Sequence, residues 1–215
     1  MMEATDRTAR TPERMTRLVL ASGSPRRRAM LEHAGIDFEV RPAPIDDGEL
    51  DPPPRVDPPA WVMALAHLKA RATLDACQRE PLQGVIVLGA DTVCVHGGAI
   101  TGQPSSRTHA RAMIETMRDA THEVLTGVAL LSAAGDTRDL FVDRSVVRVG
   151  AIDDDEIERY LDSGAWAGKA GAYNIADRRA AGWAIQYDGT EESIMGLPLA
   201  RVLERLETLL CGDAA

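Results

Sequence analysis

The run Ser22-Gly23-Ser24-Pro25-Arg26-Arg27-Arg28 sets two hydroxyls, a helix-opening proline and three guanidiniums side by side. Leu18-Val19-Leu20-Ala21 before it reads as a buried strand, and Pro25 reads as the first residue of a helix that stops at Gly35. A strand-to-helix turn of this kind suits phosphate. The first helical turn offers backbone donors and the positive end of the dipole, and arginine grips phosphate oxygens in pairs. Composition alone leaves open a plainer reading, in which the arginines merely solvate a helix face. No Gly-x-Ser-x-Gly elbow surrounds Ser22 or Ser24, so a serine nucleophile is the weaker interpretation.

Asp91 is the second candidate, placed by the pattern at the carboxyl end of the strongest apolar strand, Gly84-Val85-Ile86-Val87-Leu88-Gly89. Open α/β sheets place ligands at such ends. A carboxylate there needs a cation, a metal or hydrogen bonds to offset its desolvation; the plainer alternative is a cap on the following turn. Asp46, Asp47 and Glu49, in a loop holding seven of the twelve prolines between Pro42 and Pro59, are further oxygen donors or simply solvated acids. Lys69 and Lys169 sit among small or apolar neighbours, where an ammonium can point into a cleft or lie on a surface. Gly164-Ala165-Trp166-Ala167-Gly168-Lys169 has three residues between its glycines where a P-loop needs four, so it gives no ATPase signal. The five histidines have no metal-ligand spacing; among them only His122 is singled out, as a structural partner.

Strands and helices alternate along the rest of the chain. The spacing predicts a strand at 38–41, a helix over 61–77 with Leu65, Leu68 and Leu74 inward, and a turn at His96-Gly97-Gly98. It further predicts a helix over 105–119, long strands at 123–132 and 140–149 joined near Gly135-Asp136, and a helix after the acidic run Asp153 to Glu156. A glycine-rich stretch, an aromatic strand at 183–187 and a final helix opened by Pro198 complete an α/β pattern without repeats.

Composition narrows the partners. Hydrophobic residues at 45% and charged residues at 27% are globular values. Acids outnumber bases 33 to 24, and the net charge of −9 argues against nucleic acid or an anionic membrane as partner, so any phosphate must meet a local basic patch. Three cysteines without CxxC spacing suit a reducing compartment, and no apolar run is long enough for a membrane span. The expected location is cytoplasmic.

Taken together, Leu20-Ala21-Ser22-Gly23-Ser24-Pro25-Arg26-Arg27, Gly89-Ala90-Asp91-Thr92-Val93, Thr121-His122-Glu123-Val124-Leu125-Thr126-Gly127-Val128, Lys169-Ala170-Gly171-Ala172-Tyr173 and Gly196-Leu197-Pro198-Leu199 resemble the Maf family in order and spacing. The resemblance covers residues 17 to about 210. It implies a two-lobed α/β fold similar to the inosine triphosphatase type, with an elongated mixed sheet, flanking helices and a central cleft, usually as a homodimer. It implies a metal-dependent nucleoside triphosphate pyrophosphatase, with Mg²⁺, Mn²⁺ or Co²⁺, that cuts between the α and β phosphates. By the same resemblance Ser22, Ser24, Arg26, Arg27, Lys69 and Lys169 bind substrate, Asp91 is catalytic, and Asp46, Asp47 and Asp91 hold the metal. Gly102-Gln103-Pro104 departs from a usual Gly-Lys-Pro, leaving open whether Arg107 substitutes, and Asn174-Ile175-Ala176-Asp177 departs from a usual Gly-Ile-Gln-Gly. Ala90-Asp91-Thr92 resembles the dTTP/UTP branch more than the 7-methyl-GTP branch. The competing reading is a noncatalytic nucleotide-binding regulator of septum formation.

Met15 stands just ahead of the first apolar stretch, separated from Leu18 by Thr16 and Arg17, so residues 1–15 are expected to be a loose extension and 16–215 a single domain. Deleting 1–15 should leave turnover unchanged in a pyrophosphate-release assay; a loss of activity would contradict that boundary.

Overall fold

The computed structural model describes residues 17–45, 50, 52–77, 84–132 and 138–212. Its centre is a mixed seven-stranded sheet. Strand β1 (Arg17–Leu20) runs parallel to β2 (Phe38–Val40) on one side and to β3 (Val85–His96) on the other. β3 pairs antiparallel with β5 (Thr121–Ser132), β5 with β6 (Arg138–Val149), and β6 with β7 (Ile185–Asp188). The short β4 (Ala99–Thr101) returns on β3 through Gly97 and Gly98, both at positive φ, as a two-residue hairpin of this kind requires. Residues 133–137, with the expected Gly135-Asp136 turn, lie outside the described residues, as do 1–16.

Strand alternation sorts the core into two faces. Leu18, Leu20, Ile86, Leu88, Val128 and Leu130 point to α1 (Pro25–His33) and α7 (Leu199–Gly212), where Met30, Leu31, Val202 and Leu206 meet them. Val19, Val85, Val87, Ala129 and Leu131 point the other way, to Ala66, Ala70 and Leu74 of α2 (Pro58–Cys77). A further cluster joins Cys94, Val124, Val147 and Val149 to α3 (Arg107–Met117), α4 (Asp154–Asp162) and α5 (Ile175–Ala180). Each fully buried leucine contributes about 2 kcal/mol through removal of apolar surface from water. A four-residue helix, α6 (Glu191–Ile194), is capped by the Thr190 hydroxyl accepting from Ser193 N–H. No helix among the described residues is long and apolar enough to cross a membrane.

The structure departs from the sequence expectations in three places. β3 does not end at Gly89 but runs on to His96, so Asp91 lies in mid-strand. α2 begins at Pro58 because Asp57 Oδ2 accepts from Ala60 N–H and the first turn tolerates two prolines. Leu68 faces outward, 42% exposed, while the small residues Ala66 and Ala70 face the sheet. The reason is the closeness of α2. A Cβ on Gly89 would lie 2.4 Å from Ala66 O, and one on Gly127 would lie 2.4 Å from Val62 O, so helix backbone rests directly on strand backbone.

His122 is 2% exposed and shares a 2.9 Å hydrogen bond between Nε2 and the Tyr173 hydroxyl, while its Nδ1 has no partner among the described residues. Burial, aided by His96, pushes the imidazole from 6.5 down to about 4. The fold therefore holds the neutral ring, whereas the unfolded chain takes up a proton below about pH 6.5. This contribution is complete above 6.5 and is lost as pH falls through 4, to a total of about 3 kcal/mol. Urea unfolding between pH 7 and 4 should show a flatter stability profile for His122→Gln than for the wild type; parallel profiles would remove His122 as the cause.

Candidate active site

Topology leaves a gap beside Asp91. On one edge of β3, β1 covers Val85 to Leu88 and β4 covers Cys94 to His96, while on the other edge β5 runs alongside from Ile86 to Val95. Between β1 and β4, the segment Gly89–Val93 is paired, among the described residues, on the β5 side alone. A cavity of about 360 Å³ opens there. Asp91 and Thr92, adjacent in an extended strand, point to opposite faces, and both line the cavity, which reaches both faces through the gap.

On the α2 face, Lys69 Nζ donates to Asp91 Oδ1 at 2.6 Å, with both side chains nearly buried at 12% and 10% exposure. The helix can deliver this ammonium because Gly89, two residues before Asp91, and Gly127, directly opposite Asp91, admit its backbone. An Asp in mid-strand is poor sheet material. Its pairing with Lys69 offsets the burial of either charge alone.

On the other face, β1 hands over to α1 through Ser22 and Gly23. Ser24 is the N-cap and makes no side-chain cap bond, Pro25 opens the helix, and no acid stands in the first turn. The positive end of α1 thus meets the cavity together with Ser24 and the half-buried Arg26. Arg27 is buried and serves as a hub. Its Nε donates to Gly196 O at 2.8 Å, Nη1 to Ser22 Oγ at 2.9 Å, and Nη2 to Thr92 Oγ1 at 3.1 Å. The proton directions follow from donor and acceptor capacity. Thr126 Oγ1 donates to Ser193 O at 2.8 Å, so across its 3.0 Å contact with Thr92 it accepts, and Thr92 in turn accepts from Arg27. Ser22 Oγ accepts from both Arg27 and Ser24 N–H, which occupies its two lone pairs and leaves its O–H as a donor. Asp143 extends the scaffold, receiving Ser193 Oγ at 2.6 Å and Arg201 at 2.5 Å.

Lys169 enters from the loop between α4 and α5 and pairs with Asp177 Oδ2 at 2.9 Å. That loop is held by Gly171 N–H on Gly102 O at 3.0 Å, by Tyr160 O–H on Ala172 O at 2.9 Å, and by the left-handed backbone of Gly171 and Ala172. A left-handed alanine costs on the order of 1 kcal/mol and marks a position fixed by its surroundings. Asn174 Oδ1 caps α5 by accepting from Asp177 N–H at 3.0 Å. Val124, Tyr173, Ile175, Ile194 and Met195 add apolar lining to the cavity.

Ser22, Ser24, Arg26, Arg27, Lys69, Asp91 and Lys169 line one cavity. Asp46 and Asp47 lie outside the described residues. Arg107 does not replace a lysine at Gln103: it reaches Glu158 and Asp162 on α4, while Gln103 itself lines the cavity. Among the described residues no three His, Cys, Asp or Glu side chains converge on one point. Thr92, Thr126 and Gly196 carried no functional expectation, because hydroxyls and glycines are too common to stand out singly. A sharper signal was available in the lysine count. The chain has two lysines among 24 basic residues, and both reach this cavity.

A dTTP/UTP pyrophosphatase of Salinibacter ruber is 39% identical over 189 residues, covering 88% of this chain and 89% of its own. Proteins of the same description from Hahella chejuensis and Pelotomaculum thermopropionicum are 41% identical over 191 residues and 36% identical over 193, covering 89% and 90% of this chain and 91% and 96% of theirs. The sequence profile of the Maf-like protein family matches residues 17–209, and with the Lys69–Asp91 pair and the serine and arginine wall inside that span, the chain belongs to the Maf-like protein family.

Proposed function

We propose that the protein is a nucleoside triphosphate pyrophosphatase of dTTP/UTP type, hydrolysing the anhydride between the α and β phosphates to monophosphate and pyrophosphate. The observation that carries this reading is the buried Lys69–Asp91 pair facing a wall of anion donors across one cavity. The relatives' activity supports the same chemistry.

The triphosphate lies along the α1 end of the cavity. Ser22 donates its proton to a phosphate oxygen, the first turn of α1 supplies its dipole, and Arg26, Lys69 and Lys169 offset charge that builds on the leaving pyrophosphate. Asp91 orients the attacking water, whose oxygen joins one phosphorus while the bridging oxygen departs with the other. Arg27, with three N–H groups committed to Ser22, Thr92 and Gly196, shapes the wall and contributes its charge. The base occupies the apolar wall of Tyr173, Ile175 and Met195. Its recognition differs from the usual pattern, since Ala176 stands in place of a glutamine and the Asn174 carbonyl is taken by the α5 cap.

A divalent cation fits the donor set. Asp91 supplies a hard oxygen ligand, and Mg²⁺ is commonly held by one or two carboxylates together with substrate phosphates. Asp91 would hold it, with Asp46 or Asp47 from the proline loop, and when bound it would neutralise phosphate charge. The cytoplasmic location and the homodimer belong to the same reading, by analogy with the family.

Pyrophosphate release should be measured from a panel of canonical and modified triphosphates with Mg²⁺, Mn²⁺ or Co²⁺. Asp91→Asn should lower kcat on the order of 10²–10⁴-fold while the protein stays folded. Nucleotide binding with no turnover in the wild type would instead favour the regulatory binding protein. Ser22→Ala should retain turnover to within about 10²-fold, the loss expected for one hydrogen bond to a charged group; complete inactivation would restore the serine nucleophile.

A further inference from the structure

The two lysines of the cavity are held in different ways. Lys69 and Asp91 are both nearly buried, so neither can exchange its partner for water cheaply. Lys169 is 14% exposed, but its partner Asp177 is 52% exposed and stands outside the cavity lining, at the start of α5. The ammonium is the desolvated member of this pair and the carboxylate the solvated one. If one of them gives up the contact, it is Asp177 that water can receive.

We propose that Asp177 is a resting counter-ion for Lys169: it holds the ammonium when the cavity contains no phosphate, gives way as substrate phosphate arrives, and reclaims the ammonium as product leaves. This inference rests on the proposed role of Lys169 toward phosphate. An ammonium carries three donors on a flexible four-carbon stem, so a small swing moves it from the carboxylate to a phosphate oxygen without disturbing the loop. The backbone of that loop is fixed independently, through Gly171 on Gly102 and Tyr160 on Ala172. Asp177 N–H is held by Asn174 Oδ1, so the α5 cap does not depend on the Asp177 side chain. Asp177 is thus a positioning residue that weakens phosphate binding by competition, and it limits how long pyrophosphate or monophosphate stays bound.

The test compares the wild type, Asp177→Asn, Lys169→Met and the double variant for KM of the preferred triphosphate and for inhibition by inorganic pyrophosphate and by the matching monophosphate. Asp177→Asn should lower KM and at least one product inhibition constant together, by up to about five-fold, the range in an equilibrium typical of a solvent-exposed ion pair. In the Lys169→Met background the same substitution should change neither. Unchanged KM and inhibition constants in Asp177→Asn, or a shift that persists without Lys169, would overturn the counter-ion role. If Lys169→Met leaves wild-type KM and inhibition intact, the assignment of Lys169 to phosphate fails first and takes the inference with it. If Lys169→Met weakens binding while Asp177→Asn is silent, only the role of Asp177 falls.

Discussion

The contact on which the site depends carries no charge of its own: the backbone of α2 resting on the sheet at Gly89 and Gly127, near and opposite Asp91. Any side chain at either position would occupy space that the Val62 and Ala66 carbonyls already fill. The closeness of that approach sets where Lys69 ends, and hence whether its ammonium reaches Asp91 at hydrogen-bonding distance. Interiors are packed densely enough that a displaced helix carries its side chains with it. A charge pair taken out of water is useful only when its geometry is good, so two glycines without functional groups govern the electrostatics of the cavity.

The opposite wall is ordered by a directed chain of hydrogen bonds. The chain runs from Arg27 through Thr92 and Thr126 to the Ser193 carbonyl and ties α1 to β3, β5 and α6. With Ser22 Oγ and the Gly196 carbonyl also accepting from Arg27, it holds the guanidinium in place. A protein of net charge −9 gathers Arg26, Arg27, Lys69 and Lys169 at one cavity, while many of its acids lie on the exterior paired with other arginines. The lysine distribution fits the same logic. Arginine serves the exterior pairs, where a planar fork is adequate, and the compact ammonium is kept for two positions inside the cavity.

Much of this was legible in the sequence, and the misreadings have physical causes. The turn into α1 announced itself because strand, serine, proline and arginine all argue locally for the same geometry. Asp91 was singled out as a candidate at a strand end, but its strand runs on to His96; it was cut short because glycine and aspartate both disfavour strands. Here Gly89 is needed by α2 and Asp91 by Lys69, two tertiary demands that local propensity does not register. Leu68 was expected inward on hydrophobic periodicity alone, which ignores that a helix lying against glycines must turn alanines toward them. α5 and α6, of six and four residues, are too short for periodicity to register and are visible mainly through their Asn174 and Thr190 caps. The pairing of Lys169 with Asp177 spans an irregular loop, where neither the 3.6-residue nor the 2-residue period applies.

The gap in the edge of β3 also bears on how the cavity comes into being. Asp91 belongs to an antiparallel meander, β3 with β5 and β5 with β6, whose later strands follow one another closely in the chain. The serine and arginine wall belongs to β1 and α1, joined to β3 by parallel pairing between segments far apart in sequence, such as Leu18 with Ile86. Closing so long a loop carries an entropic cost that local pairing does not, so the two walls have different kinetic origins. A chain with the meander alone in place has Asp91 but not the serine and arginine wall, so the cavity is complete only once the distant parallel pairing has formed.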